Sequence, residues 1–118
     1  MWFTTDEIKD IANGEKRLTI RTFKSNGQLP IKIGSKTWIK TGSLVSKERY
    51  GQIRMIGLEI KPLEEMTIKD ANLGGYSSAE EYIQAQLEEF NSDCDLSTEM
   101  LFYTFEVLDI DWDLVNLL

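Results

Sequence analysis

The chain has 118 residues, of which 42% are hydrophobic and 28% charged; that supports one buried core and is too short for two, so a single domain spanning residues 1–118 is expected. Histidine is absent and Cys94 is the only cysteine, which removes the usual general base, the commonest metal ligand and any internal disulfide. Apolar runs are short and the opening residues lack the basic and apolar regions of a signal peptide, so no membrane span and a cytoplasmic location are expected.

The net charge of −7 is unevenly spread: residues 1–61 hold 12 Lys or Arg against 6 Asp or Glu, while residues 62–118 hold Lys69 alone against 14 acids. A basic first half offers a local positive face, and the acidic second half opposes indiscriminate phosphate binding. The other reading is that the two halves interleave in the fold and neutralise each other.

In chain order, TTDEIKDIANG reads as a helix: Thr4 and Glu7 have capping-box spacing, Ile8 and Ile11 share a face, and Gly14 supplies the stop. From Leu18 the pattern alternates, with Leu18, Ile20 and Thr22 on one side and Thr19, Arg21 and Phe23 on the other, as in a strand. Asn26-Gly27 and Ile33-Gly34-Ser35 are turns. Lys36 to Thr41 reads as a second strand and, after a polar loop from Gly42, Tyr50 to Ile60 as a third, with Gly57 marking a bulge or a close backbone approach.

Thr67 is an N-cap for a short helix closed by Asn72-Leu73-Gly74-Gly75, and Ser77 or Ser78 caps a longer one through about Phe90. Tyr82, Ile83, Leu87 and Phe90 make its apolar face, with Glu80, Glu81, Glu88 and Glu89 mostly opposite. Met100 to Ile110 is a near-continuous apolar run that fits a central strand, and DIDWDLVNLL fits either an edge strand or a short helix docked on the sheet. The order helix, three strands, two helices, strand is not an alternating βαβ pattern. An α+β fold is expected, with a small curved or closed sheet plugged by helices.

Within ANGEKRLTIR, Thr19 and Arg21 project from one strand face and Lys16 reaches over from the preceding turn. A hydroxyl and two cations so placed suit a phosphate, a carboxylate or the carbonyl edge of a nucleobase. Arg17, Lys36 and Lys40 flank this cluster in the sequence reading, and Trp38 and Tyr50 are either stacking platforms for a base or packing residues. The carboxylates of NSDCDLSTE lack the glycine and closing glutamate of a calcium loop, so neither a metal nor a cofactor is expected.

GEKRLTIR resembles the G-x-K-x-x-T-x-R signature of ASCH domains, which are PUA-like β-barrels. The opening helix, the strand Gln52 to Lys61, the segment DANLGGYSSAEEYIQAQLEEF and the closing MLFYTFEVLDI are similar in order to the family's helix, central strand, helical insertion and last strand. The resemblance implies a barrel of about five to six strands with an N-terminal helix and a two-helix insertion. It also implies an RNA or modified nucleoside or nucleotide ligand held by Lys16, Arg17, Thr19 and Arg21.

The chain departs from the family pattern at Lys16-Arg17, where Lys-Thr is common, and at Gly34-Ser35, where Gly-Asp is. The small ASCH enzymes that hydrolyse N4-acetylcytidine imply a second function, an amidohydrolase with Thr19 as nucleophile and Lys16 as base. Their glutamate would fall near Gly74, where this chain has no carboxylate, leaving Glu64, Glu65 or Asp70 as substitutes. A third reading, from charge alone, is a protein-interaction module using the acidic residues 62–118.

Overall fold

The computed structural model describes residues 1–41 and 48–118, and the loop expected from Gly42 lies outside the described residues. Its strands are β1 (Trp2–Phe3), β2 (Leu18–Arg21), β3 (Lys36–Thr41), β4 (Gly51–Pro62) and β5 (Glu99–Ile110). The helices are α1 (Thr5–Ala12), α2 (Ile68–Leu73), α3 (Ala79–Phe90) and α4 (Trp112–Val115), with short 3-10 turns at Leu63–Glu65 and Asn91–Asp93.

The helix starts follow the caps. Thr4 Oγ1 accepts from Glu7 N while Glu7 Oε1 accepts from Thr4 N, and Thr67 and Asp70 repeat the arrangement on α2. Of the two serines proposed for α3, Ser78 is the cap, its hydroxyl accepting from Glu81 N. After α1 the chain turns at Gly14, whose φ of +83° favours glycine.

The five strands form one sheet in the order β1-β3-β4-β5-β2, with β1 parallel to β3 and the other neighbours antiparallel. The fold is α+β, a small barrel-like sheet with an N-terminal helix and with α2 and α3 inserted between β4 and β5. The edge strands β1 and β2 are joined by the Arg21 guanidinium, whose Nη2 donates to Trp2 O at 2.8 Å.

Alternation sorts side chains into two cores, one on each face of the sheet. Leu101, Tyr103 and Phe105 of β5 join Phe3, Ile8, Ile11, Ile39, Ile53 and Met55, whereas Met100 and Phe102 join Leu18, Ile20, Leu63, Ala71 and Tyr82 beneath α2 and α3. Burial on both faces is why β5 reads as an unbroken apolar run. Gly57 lies at a register shift opposite Thr104, where a Cβ would collide with the threonine side chain, so bulge and close approach coincide.

The acidic tail resolves as a helix, α4, capped by Asp111 and anchored in the first core by Val115. Basic and acidic halves do interleave: β4 pairs with β5 along its length, Arg54 meets Glu106 at 3.3 Å, and Lys61 meets Asp70 at 2.7 Å.

Candidate ligand-binding site

Because β2 forms the sheet edge and α1 runs directly into it, the Lys16–Arg21 segment lies between α1 on one side and the α2–α3 insertion on the other. Lys16 is 3% exposed. Its ammonium donates to Gly74 O at 3.2 Å and Tyr82 Oη at 3.5 Å and lies 3.6 Å from Glu7 Oε2. Burial holds this ammonium below the ordinary lysine value, Glu7 opposes that shift, and the Arg21 charge reinforces it.

Thr19 is also buried, and its Oγ1 accepts from Arg21 Nε at 3.2 Å. The guanidinium therefore spends Nε on Thr19 and Nη2 on Trp2 O, lies 4.9 Å from the centroid of the Phe3 ring, and has no partner for Nη1 among the described residues. Burial lowers the Arg21 pKa, and Glu7 and Glu89 counter it. Thr19 and Arg21 thus act as one unit, with Lys16 set deeper behind Glu7.

Arg17 is directed elsewhere. Its Nη1 donates to Ile11 O at 2.9 Å and Lys16 O at 2.7 Å, which satisfies a carbonyl at the C-terminal end of α1 and fixes the turn into β2. Tyr50 is a buried residue of the first core that donates to Glu48 Oε2. Trp38 is more open, and the Arg49 guanidinium covers its ring at 4.8 Å. Lys40 stands 5.6 Å over Trp2, while Lys36 pairs across the sheet with Arg54.

At the position where the resemblance expects a carboxylate, Gly74 lies against Tyr82. A Cβ on residue 74 would collide with the tyrosine ring, and the Gly74 carbonyl binds Lys16 instead. Tyr82 stacks on Tyr76 with centroids 4.4 Å apart, and burial pushes its phenol up, keeping it a neutral hydroxyl. Asp70 is engaged with Lys61 and Thr67, Glu64 and Glu65 are exposed on their 3-10 turn, and the carboxylate that pairs with Lys16 is Glu7.

Carboxylates reach the cleft from other directions. A cavity of about 270 Å³ is lined by Trp2, Phe3, Thr4, Glu7, Arg21 and Glu89. Glu89, grouped by charge with the outward side of α3, lines this cavity seven residues after the inward Tyr82, a separation of about two helical turns. Gln86, on the same face, is 6% exposed and donates to Glu89, with its Oε1 left unpaired. A second cavity of about 410 Å³ shares Trp2 and Arg21 and is otherwise walled by residues that include Thr22, Ile31, Thr37 and Phe90.

Neither Trp2 nor Glu7 stood out as a site residue in the sequence. The signals were present: Trp2 faces opposite the buried Phe3 in a two-residue strand, and Glu7 is the capping-box residue on the first turn of α1.

No family model and no curated protein matches the chain by sequence. Solved structures do match. The chain is similar to a protein of the DUF984 family from Enterococcus faecalis V583, with 16% identity and TM-score 0.72, over 92% of this chain and 76% of that one. It is similar to an ASCH domain from Lactobacillus crispatus JV V101, with 14% identity and TM-score 0.74, over 88% of this chain and 71% of the other. An ASCH protein from Zymomonas mobilis matches at 13% identity and TM-score 0.63, over 96% of this chain and 72% of that protein. What these matches share with the chain is architecture, and the fold described above is that of an ASCH domain.

Proposed function

We propose that this chain binds RNA or a modified nucleoside in the cleft between β1, β2, α1 and α3, with Arg21 as the principal contact. The observation that carries the reading is Arg21 itself: a guanidinium fixed by Thr19 and Trp2, with one nitrogen unpartnered among the described residues, lining both cavities. A planar donor held this rigidly suits the carbonyl edge of a base or a phosphate oxygen. Around it the charges balance, Lys16 and Arg21 against Glu7 and Glu89, which favours a ring carrying acceptors and amino donors over a bare polyanion.

Calorimetric titration of a nucleoside panel and short single-stranded RNAs tests this. Binding that weakens at least tenfold in Arg21→Ala is expected; binding unchanged in Arg21→Ala paired with Lys16→Ala would remove the reading.

One observation favours a second reading, hydrolysis of an acylated base such as N4-acetylcytidine. Glu7 supplies, from α1, a carboxylate beside a lysine whose burial lowers its pKa. Against it, Thr19 Oγ1 is engaged as the acceptor of Arg21 Nε, and the Lys16 ammonium is directed to Gly74 O, Tyr82 Oη and Glu7. Incubation with N4-acetylcytidine and chromatography for cytidine distinguishes the two, with turnover lost in Lys16→Ala supporting the enzyme.

A further inference from the structure

The two cavities meet at the same pair of residues and differ in character. The smaller carries Glu7 and Glu89; the larger is walled by apolar and hydroxyl side chains with no carboxylate, and Lys40 stands over Trp2 beside it. Across Arg21, then, the surroundings change from acceptor-rich to apolar and cationic. A ligand complementary to both has an uncharged donor-bearing ring at one end, an anionic group at the guanidinium and a second ring beyond it. At about 270 Å³ the smaller cavity is below the usual range for a whole drug-sized ligand, while the two together are well within it.

We infer that the cleft takes two consecutive nucleotides of a single strand, one base in the Glu7–Glu89 chamber, the next in the Trp2–Phe90 chamber, and the linking phosphate on Arg21. This rests on the nucleic-acid reading above and extends it from a lone nucleoside to a strand. A single phosphate fits the site: Arg21 Nη1 has no partner among the described residues, and Lys16 is buried behind Glu7 and bonded to Gly74 and Tyr82. Trp2, 41% exposed, and Phe90 supply aromatic surface for the second ring.

The test is calorimetric comparison of adenosine, cytidine, their 3′-monophosphates and the dinucleoside monophosphates ApA and CpC. The dinucleotide is expected to bind about tenfold or more tightly than the monophosphate, the scale of one stacked base. Thr22→Trp, at an exposed position that lines the larger chamber, should abolish that gain and leave nucleoside affinity unchanged. Phe90→Ala should reduce that gain, with its thermal unfolding recorded because Phe90 also packs on the second core. If the monophosphate captures the whole gain, or if Thr22→Trp keeps it, the two-nucleotide site is wrong while ligand binding stands. If neither nucleosides nor dinucleotides bind, the nucleic-acid reading fails and this inference with it.

Discussion

Arg21 Nη2 donates to the carbonyl of Trp2 at 2.8 Å, so the two edge strands of the sheet meet through one side chain. The same guanidinium lines both cavities, which makes closure of the sheet and shape of the cleft a single structural event. Arg21→Lys keeps the charge and loses the fork that spans Thr19 and Trp2. It is expected to cost about 1.5–3 kcal/mol, the range for hydrogen bonds to a charged group. Chemical denaturation with hydrogen exchange at the β1 amides checks this: destabilisation with faster exchange in β1 is expected, and unchanged exchange would show that the edges are joined by other means.

Gly74 is required by Tyr82. An added Cβ collides with the tyrosine ring, which is itself 1% exposed and stacked on Tyr76, so the strain has little room to relax. Gly74→Ala is expected to destabilise by about 1–3 kcal/mol, as overpacking does. Because Gly74 O and Tyr82 Oη both hold Lys16, ligand affinity should fall with it. A Tm equal to that of the parent would contradict the geometry.

Lys61 and Asp70 tie β4 to α2 at 2.7 Å, and Asp70 also accepts from Thr67 N. Burial acts to raise the Asp70 carboxyl, but the bonds from Lys61 and Thr67 prevail and hold it below its ordinary value. A carboxyl lowered in the folded state adds stability that is complete above the unfolded value of about 3.9 and is lost as pH falls through the folded one. Asp70→Asn should therefore be less stable than the parent at pH 7 and approach it as pH falls below the unfolded value of about 3.9. Parallel curves over that range, by urea unfolding, would contradict the assignment.

Lys16 gives a dependence of the same sign in an alkaline window. Its pKa is lowered by burial, so the folded protein releases the proton before the unfolded chain does, and stability rises with pH from the folded value up to about 10.4. Relative to Lys16→Met, the parent should gain stability through that window. A pH-independent difference would place the ammonium in a less buried setting.

What the sequence reveals here follows the range of the forces. Thr4 with Glu7, Thr67 and Ser78 as caps, the strand from Leu18, which ends at Arg21, and the doubly buried β5 rest on neighbours a few residues apart, and each appears in the structure where the pattern puts it. The cleft rests on contacts far apart in the chain: Lys16 meets Gly74 and Tyr82 58 and 66 residues away. No local rule says that Tyr82 fills the space beside residue 74, or that Glu7 brings a carboxylate to Lys16. Nor does a local rule say that the Arg17 guanidinium reaches the Ile11 carbonyl at the end of α1. Glu89 was misplaced for another reason: its charge groups it with Glu88, but helical geometry turns it toward Tyr82 and Gln86.

The central claim is that a nucleic-acid ligand sits at Arg21. An amide chemical-shift titration of the labelled protein with a single-stranded tetranucleotide tests it directly. Saturable shifts at Trp2, Thr19 to Thr22, Glu89 and Phe90, absent in Arg21→Ala, are the predicted result. Shifts confined to residues away from both cavities, or none at millimolar ligand, would contradict it.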